Sequence, residues 1–172
     1  DVCAGAGGKT LHLAALMKNK GQIIALDIYE WKLAELKRRA KRAGAHNIET
    51  RVIEDNKVIK RLHEKADRLL IDSPCSGLGV LKRNPDSKWK IDQAFIDRIK
   101  KEQEKILQDY AKILKKGGKM IYATCSILPS ENNEQVEIFL KNNEGYSLIK
   151  EEKVMPSEGF DGFYMALIER KA

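Results

Sequence analysis

The stretch DVCAGAGGKT, residues 1–10, is a glycine-rich turn that leads directly into a helix-like segment. Leu11, Ala14 and Met17 recur at helical spacing, which predicts a helix over residues 10–18. A turn of this kind normally follows a buried strand. We therefore expect the chain to be a fragment whose first strand is truncated and whose natural sequence continues upstream.

The turn fits two kinds of nucleotide-binding loop. In a phosphate loop, GxxxxGK[ST], the segment 8–10 would supply the last residues, but the required first glycine falls on Cys3. In the nucleotide turn of a doubly wound sheet, an acidic residue and small residues alternate. Asp1, Cys3, Gly5 and Gly7 follow that spacing, with cysteine replacing the first glycine.

A carboxylate after the next predicted strand favours the second interpretation. Asp27 lies 20 residues past Gly7, where a carboxylate can accept hydrogen bonds from both ribose hydroxyls of an adenosine. S-Adenosylmethionine has no phosphate but needs the close backbone approach that glycine permits. Ile28 could pack on the adenine or be an ordinary core residue. Asp55 could bond the adenine amino group or cap the next helix.

Strand-like and helix-like segments alternate along the chain, which is typical of βαβ units. This alternation predicts an α/β fold with a mostly parallel, doubly wound sheet in one domain over residues 1–172. The last two strands are expected to form an antiparallel pair. The predicted helices cover residues 10–18, 29–43, 58–64, 93–114 and 130–141, and the predicted strands cover 22–26, 49–53, 68–71, 119–124, 146–150 and 163–169.

The composition is that of a basic globular protein. Apolar clusters such as LAAL, IIAL, RLLI and KMIYA need a core and exclude disorder. No apolar run approaches the roughly 18 residues of a membrane helix. The net charge of +7 suits a polyanionic partner but is weak support alone. The three cysteines show neither a disulfide framework nor CxxC spacing, so we expect a reducing, cytoplasmic compartment. The histidines lack ligand spacing, so we expect no metal. We also expect no membrane partner.

Two cysteines follow predicted strands. Cys75 ends the run Asp72-Ser73-Pro74-Cys75, and Cys125 comes after the strand over residues 119–124. If these strands are neighbours, about 4.8 Å apart, both thiols and Asp72 face the pocket at the carboxyl ends of the strands. A buried thiol is the simpler interpretation of either cysteine alone.

Two thiols beside a methyl donor suit the methylation of carbon 5 of a pyrimidine. Carbon 5 of a pyrimidine is a poor nucleophile, but a thiolate that adds to carbon 6 creates an enamine whose carbon 5 can attack a sulfonium methyl group. A base must then remove the carbon 5 proton so that the thiol can leave.

The chain resembles the catalytic domain of the Sun/Nop (Fmu-like) family of RNA cytosine-5 methyltransferases. The resemblance implies a Rossmann-like class I methyltransferase fold, S-adenosylmethionine as cofactor, and a covalent Cys–cytosine adduct. It also implies RNA as the partner, ribosomal rather than transfer RNA, and we expect a monomer. The stretches that carry it are DVCAGAGGKT at 1–10, ALD at 25–27, DSPCSGLGVLKRNPDSKW at 72–89, TCSILPSENNEQV at 124–136 and GFDGFYMALIERK at 159–171.

The resemblance also implies roles for individual residues. Cys125 would be the nucleophile, Cys75 would assist product release, and Asp72 would contact and polarise the cytosine, with Lys9 near Asp72 and the donor. Ala6 replaces the family's proline, a change that the backbone geometry should survive. The expected donor-binding residues are Cys3, Ala4, Gly5, Ala6, Gly7, Gly8, Lys9, Asp27, Ile28, Asp55, Asp72 and Pro74.

The loop after Cys75 is basic and contains Trp89. Cations and an aromatic ring suit single-stranded RNA around a flipped base, so Lys82, Arg83 and Lys88 are expected to bind RNA. A solvated loop with a packed tryptophan is the alternative.

Two other functions stay open at this point. A P-loop nucleotide-binding protein would use Lys9 and Asp72 for phosphate and magnesium, but it fails at Cys3. A catalytically silent RNA-binding domain of the same fold would not need both Cys75 and Cys125. Glu131 and Asn132 match the family's motif, but the sequence assigns them no role.

Overall fold

The structure is a computed structural model that describes residues 1–172. Two compact units, Asp1–Leu62 and His63–Ala172, make up the chain. The prediction of one domain stays a prediction. The elements in chain order are α1 (Gly8–Leu16), β1 (Ile23–Asp27), α2 (Glu30–Arg42), β2 (Ile48–Val52), α3 (Lys57–Leu62), β3 (Ala66–Asp72), α4 (Ser87–Lys90), α5 (Gln93–Tyr110), β4 (Leu114–Thr124), α6 (Asn133–Asn142), β5 (Tyr146–Val154) and β6 (Phe163–Arg170).

The first unit is built on the parallel pair β1–β2, whose register runs from Ile23↔Ile48 to Asp27↔Val52. On the other side of β1, Val2 forms a parallel bridge with Leu26. Apolar side chains of α2 pack on Ala25 of β1 and form the core of this unit. Because Val2 pairs with Leu26 near the end of β1, the glycine-rich turn that follows Val2 lies at the carboxyl end of that strand.

The second unit is a four-stranded sheet in the order β3-β4-β6-β5. Strands β3 and β4 are parallel neighbours, as the cysteine argument requires. Strand β6 runs antiparallel to both β4 and β5. The α/β class and the C-terminal antiparallel pair are thus confirmed, and across both units the strand pairings are mixed: β1–β2 and β3–β4 are parallel, and the two pairings of β6 are antiparallel.

One boundary differs clearly from the sequence prediction. Helix α5 ends at Tyr110, and β4 begins at Leu114 instead of residue 119. Between the pairs Ala66↔Leu114 and Arg68↔Lys119 the ladder shifts register, so the glycines expected to stop the helix lie in an irregularity inside β4. A β-bulge absorbs such extra residues without ending the strand.

No helix has both the length and the apolar character that crossing a membrane requires.

Candidate active site

In the first unit, the glycine-rich turn connects residues alongside β1 to α1. Gly7 precedes the first residue of α1 with φ +85°, and a Cβ atom there would collide with the Leu36 side chain. Only glycine meets both conditions, because other residues rarely adopt positive φ. Arg39 of α2, which the sequence did not single out, donates a 2.8 Å hydrogen bond from Nη1 to the Ala6 carbonyl.

Asp27 organises this turn. It is 5% exposed, its Oδ2 accepts a 2.8 Å hydrogen bond from the Gly5 N–H, and its Oδ1 accepts one of 2.9 Å from the Tyr29 N–H. Each carboxylate oxygen has two lone pairs, so each retains one acceptor direction. The carboxylate expected to bind a ribose therefore also shapes the backbone around it.

The other residues of the first unit differ in their surroundings. Ile28 is 55% exposed, which removes the core interpretation and leaves its side chain accessible. Asp55 accepts a 2.7 Å hydrogen bond from the Lys57 N–H at the start of α3, as a capping residue does. A contact between Asp55 and adenine stays a prediction.

In the second unit, the structure brings the two predicted catalytic cysteines together. The Sγ atoms of Cys75 and Cys125 lie 3.2 Å apart, just beyond the carboxyl ends of β3 and β4. Asp72 is the last residue of β3 and pairs with Ala123 of β4. The three residues expected to act on the substrate thus lie at one edge of one sheet.

The contact between the two sulfurs affects the acidity of Cys75. A hydrogen bond with Cys125, followed by burial, raises the pKa of Cys75 far above its usual value. Cys75 therefore remains a protonated thiol and can donate its hydrogen to the sulfur of Cys125. Stabilisation of a thiolate by a neighbouring donor is what a cysteine nucleophile needs.

Glu131 is the main residue that sequence analysis left without a role. Its carboxylate is fully buried and accepts hydrogen bonds from the backbone N–H of Ser76 at 2.8 Å, from the Ser76 hydroxyl at 2.5 Å and from the Ser126 hydroxyl. Gln103 of α5 supplies a fourth from Nε2 at 3.1 Å. Its place in the family-like stretch 124–136 was the only sequence signal, because nothing in the local pattern indicates that this glutamate is buried.

The backbone around Cys125 leaves no room for a side chain at Gly79. The Gly79 N–H donates to the Cys125 carbonyl at 2.9 Å, and the Gly162 N–H donates to the Gly79 carbonyl at 2.7 Å. A Cβ atom on Gly79 would lie 2.7 Å from the Cys125 carbonyl oxygen. The loop after Cys75 is therefore hydrogen-bonded to the Cys125 backbone, and the segment before β6 is hydrogen-bonded to that loop.

The predicted RNA-binding loop presents mixed side chains. Trp89 is 81% exposed, which contradicts the packed alternative, and Lys88 Nζ lies 4.8 Å from the centre of its ring. Lys82 is exposed. Arg83 forms an ion pair with Asp161, so its charge is partly neutralised within the protein.

The chain is similar in sequence to known proteins. A family model described as 16S rRNA methyltransferase RsmB/F matches residues 1–169. A probable ribosomal RNA small subunit methyltransferase B of Synechocystis is 41% identical over 85% of this chain and 33% of its own length. The mouse tRNA (cytosine(72)-C(5))-methyltransferase NSUN6 is 34% identical over 99% of this chain and 38% of its own length.

Solved structures share the fold as well. The crystal structure of NSun6 from Pyrococcus horikoshii with SFG, an S-adenosylmethionine analogue, superposes with a TM-score of 0.89 at 28% identity. It is matched over 100% of this chain and 47% of its own chain. The Rossmann-like fold expected from the sequence is confirmed, and the chain spans less than half of each of these relatives.

Proposed function

Because the chain belongs to the RsmB/F family of 16S rRNA methyltransferases, we propose that it is the catalytic part of an S-adenosylmethionine-dependent RNA methyltransferase that modifies carbon 5 of a cytosine. The observation that carries this proposal is the 3.2 Å separation of the Cys75 and Cys125 sulfurs at the ends of two parallel strands. Carbon 5 methylation needs both a thiolate nucleophile and a group that later removes a proton.

The first unit fits S-adenosylmethionine. A Cβ atom built on Gly5 would meet no atom within 4 Å, so the turn leaves open space beside its backbone. We expect the remaining acceptor directions of Asp27 to receive the two ribose hydroxyls and Ile28 to cover the adenine. The bound donor would supply an electrophilic methyl group on a sulfonium. The residues of this unit proposed to hold it are Cys3, Ala4, Gly5, Ala6, Gly7, Gly8, Lys9, Asp27, Ile28 and Asp55.

The second unit supplies the groups that act on the cytosine. The Cys125 thiolate, with the Cys75 thiol beside it, adds to carbon 6, while Asp72 contacts the base and polarises it. After carbon 5 has gained the methyl group, a base takes up its proton, and the Cys75 thiol assists release of the product. The bond between Cys125 and carbon 6 then breaks, which restores the aromatic ring and releases the product.

We propose ribosomal RNA as the substrate, with transfer RNA as the alternative that the name of the mouse relative raises. Lys82, Lys88 and the exposed Trp89 would hold single-stranded RNA through charge and stacking. Arg83 would contribute only if its ion pair with Asp161 opens.

The test uses the full-length protein and its Cys125→Ala variant. Transfer of labelled methyl groups from S-adenosylmethionine to RNA is measured, and bisulfite sequencing of RNA from cells lacking the gene identifies the cytosine. We expect one or a few protected cytosines to become convertible in the deletion strain, and no transfer by the variant. If transfer persists in the variant, or no cytosine changes, the proposal is wrong.

A further inference from the structure

We propose that Glu131 is a positioning residue that sets the distance between the sulfurs of Cys75 and Cys125. The inference rests on the proposed function, because it concerns the same thiol pair. It extends that function by assigning a task to a residue that touches neither thiol.

The hydrogen bonds of Glu131 reach both cysteine loops at once. The N–H and hydroxyl of Ser76 and the hydroxyl of Ser126 all donate to its carboxylate. Ser76 directly follows Cys75, and Ser126 directly follows Cys125. The two hydroxyl oxygens lie 3.2 Å apart, the same separation as the two sulfurs. One buried carboxylate thus fastens the residue after each thiol to a common point.

Glu131 is itself held in place from several directions. Its backbone carbonyl accepts a 2.8 Å hydrogen bond from the hydroxyl of Tyr122 on β4. Gln103 of α5 donates both to the Glu131 carboxylate and, at 2.9 Å, to the carbonyl of Pro74. The residue before Cys75 is therefore tied to the same network as the residue after it.

The neighbouring Asn132 fixes the Cys125 loop in a similar way. Its Oδ1 accepts a 2.5 Å hydrogen bond from the Thr124 hydroxyl, and its Nδ2 donates at 2.9 Å to the Ser126 carbonyl. Both flanks of Cys125 are thus bound to the segment that contains Glu131.

A carboxylate is the group that this arrangement requires. Four donors converge on Glu131, two on each oxygen, which uses all of its lone pairs. The donors are neutral, so the negative charge strengthens each hydrogen bond. A glutamine would turn an NH₂ group toward two donors on one side, and an aspartate would be one methylene too short to reach both serines.

The experiment measures the spacing of the thiols directly, without RNA or donor. Full-length protein is treated with diamide, which takes up the two thiol hydrogens as a disulfide forms, and peptide mapping follows the Cys75–Cys125 link. Glu131→Gln is compared with wild type and with Glu151→Gln. Glu151 is the control, because its carboxylate accepts a 2.6 Å hydrogen bond from Tyr164, whereas the donors from Ser76 and Ser126 go to Glu131. Steady-state methyl transfer at several RNA concentrations is measured on the same proteins.

We expect Glu131→Gln to slow disulfide formation and to lower kcat about 10- to 100-fold, as displacement of reacting groups by about 1 Å does. The KM for RNA should change much less, and Glu151→Gln should match wild type. Equal disulfide rates in Glu131→Gln and wild type would overturn the inference. If wild type links its thiols quickly but transfers no methyl group, the proposed function fails while the positioning role stands.

Variants at the serines keep the inference testable if Glu131→Gln does not fold. Ser76→Ala and Ser126→Ala each remove one hydroxyl donor and leave the carboxylate in place. Both should slow the disulfide link. Unchanged rates in both folded variants would overturn the inference equally.

Discussion

The sulfurs of Cys75 and Cys125 lie 3.2 Å apart, although 50 residues separate them in the sequence. Their meeting depends on the parallel register of β3 and β4, which pairs Asp72 with Ala123 and brings both strands to an end at the same edge. A change at either sulfur, or in the backbone that holds it, should therefore alter the surroundings of the other sulfur.

Replacing Cys125 and replacing Cys75 should have opposite effects on the amount of covalent protein–RNA adduct. Cys125→Ala should abolish both methyl transfer and covalent attachment to RNA, because no nucleophile remains. Cys75→Ala should accumulate a protein–RNA adduct, visible on a denaturing gel, because release is blocked. The double variant is the control and should give no adduct. An adduct with Cys125→Ala and none with Cys75→Ala would reverse the two roles.

Asp27→Ala should weaken binding of S-adenosylmethionine about 10-fold or more, because it removes a charged acceptor and the support of the Gly5 N–H. RNA affinity should change little. Isothermal titration measures the first and a gel shift the second, with ATP as the non-cognate ligand and Glu30→Ala, on exposed α2 surface, as the control. An equal loss of both affinities would indicate misfolding instead.

Gly79→Ala should reduce both stability and methyl transfer, since its Cβ would press on the Cys125 carbonyl. We expect a loss of about 2 kcal/mol or more in the free energy of unfolding, typical of overpacking against backbone. Gly145→Ala is the matched control, because a Cβ there meets no atom within 4 Å. Urea unfolding measures both, and equal stabilities would contradict the close approach.

The free energy of unfolding should decline as the pH rises above about 9, where an ordinary cysteine ionises. The pKa of Cys75 is raised in the folded state, so above this pH the folded protein binds more protons than the unfolded chain. The stabilisation is complete below pH 9 and is lost progressively as pH rises toward the folded pKa. Urea unfolding across this range should show a shallower decline for Cys75→Ala.

Tyr122 should add to this decline in the free energy of unfolding at higher pH. Burial raises the pKa of this tyrosine above its usual value of 10.0, so its contribution begins to be lost above that pH. If wild type and Cys75→Ala decline identically between pH 9 and pH 10, the thiol contributes nothing to the pH dependence.

Lys82→Ala and Lys88→Ala should each weaken RNA binding and lower the slope of log affinity against log salt by about 1, if each lysine contacts one phosphate. Fluorescence anisotropy at several salt concentrations measures the slope. Lys141→Ala, on the exposed surface of α6, is the control and should leave it unchanged. Slopes that match wild type in both loop variants would contradict an RNA contact by this loop.

Local chemistry made part of this molecule predictable. The glycine-rich turn could be identified because only certain residues tolerate its backbone, and Asp27 because its distance from Gly7 is fixed by one helix and one strand. The cysteines stood out because a thiol after each of two predicted strands, with a carboxylate nearby, matches the needs of carbon 5 methylation. Each of these inferences needs only neighbours in sequence or the regular geometry of a sheet.

Glu131 could not be assigned from the sequence, because two of its partners, Ser76 and Gln103, lie 55 and 28 residues away along the chain. Ser76, Gln103 and Ser126 converge on it only after β3, β4 and α5 have packed. The early start of β4 was missed for a related reason. The pairing of Leu114 with Ala66 overrides the usual tendency of glycines to end a helix and open a loop.

The position of β6 between β4 and β5 has a consequence for biosynthesis. The strand that ends beside Cys125 obtains its second neighbour only when residues 163–170 have left the ribosome. During translation a nascent chain therefore carries β4 with one side unpaired, and the sheet that supports Cys125 is completed near the end of this segment's synthesis.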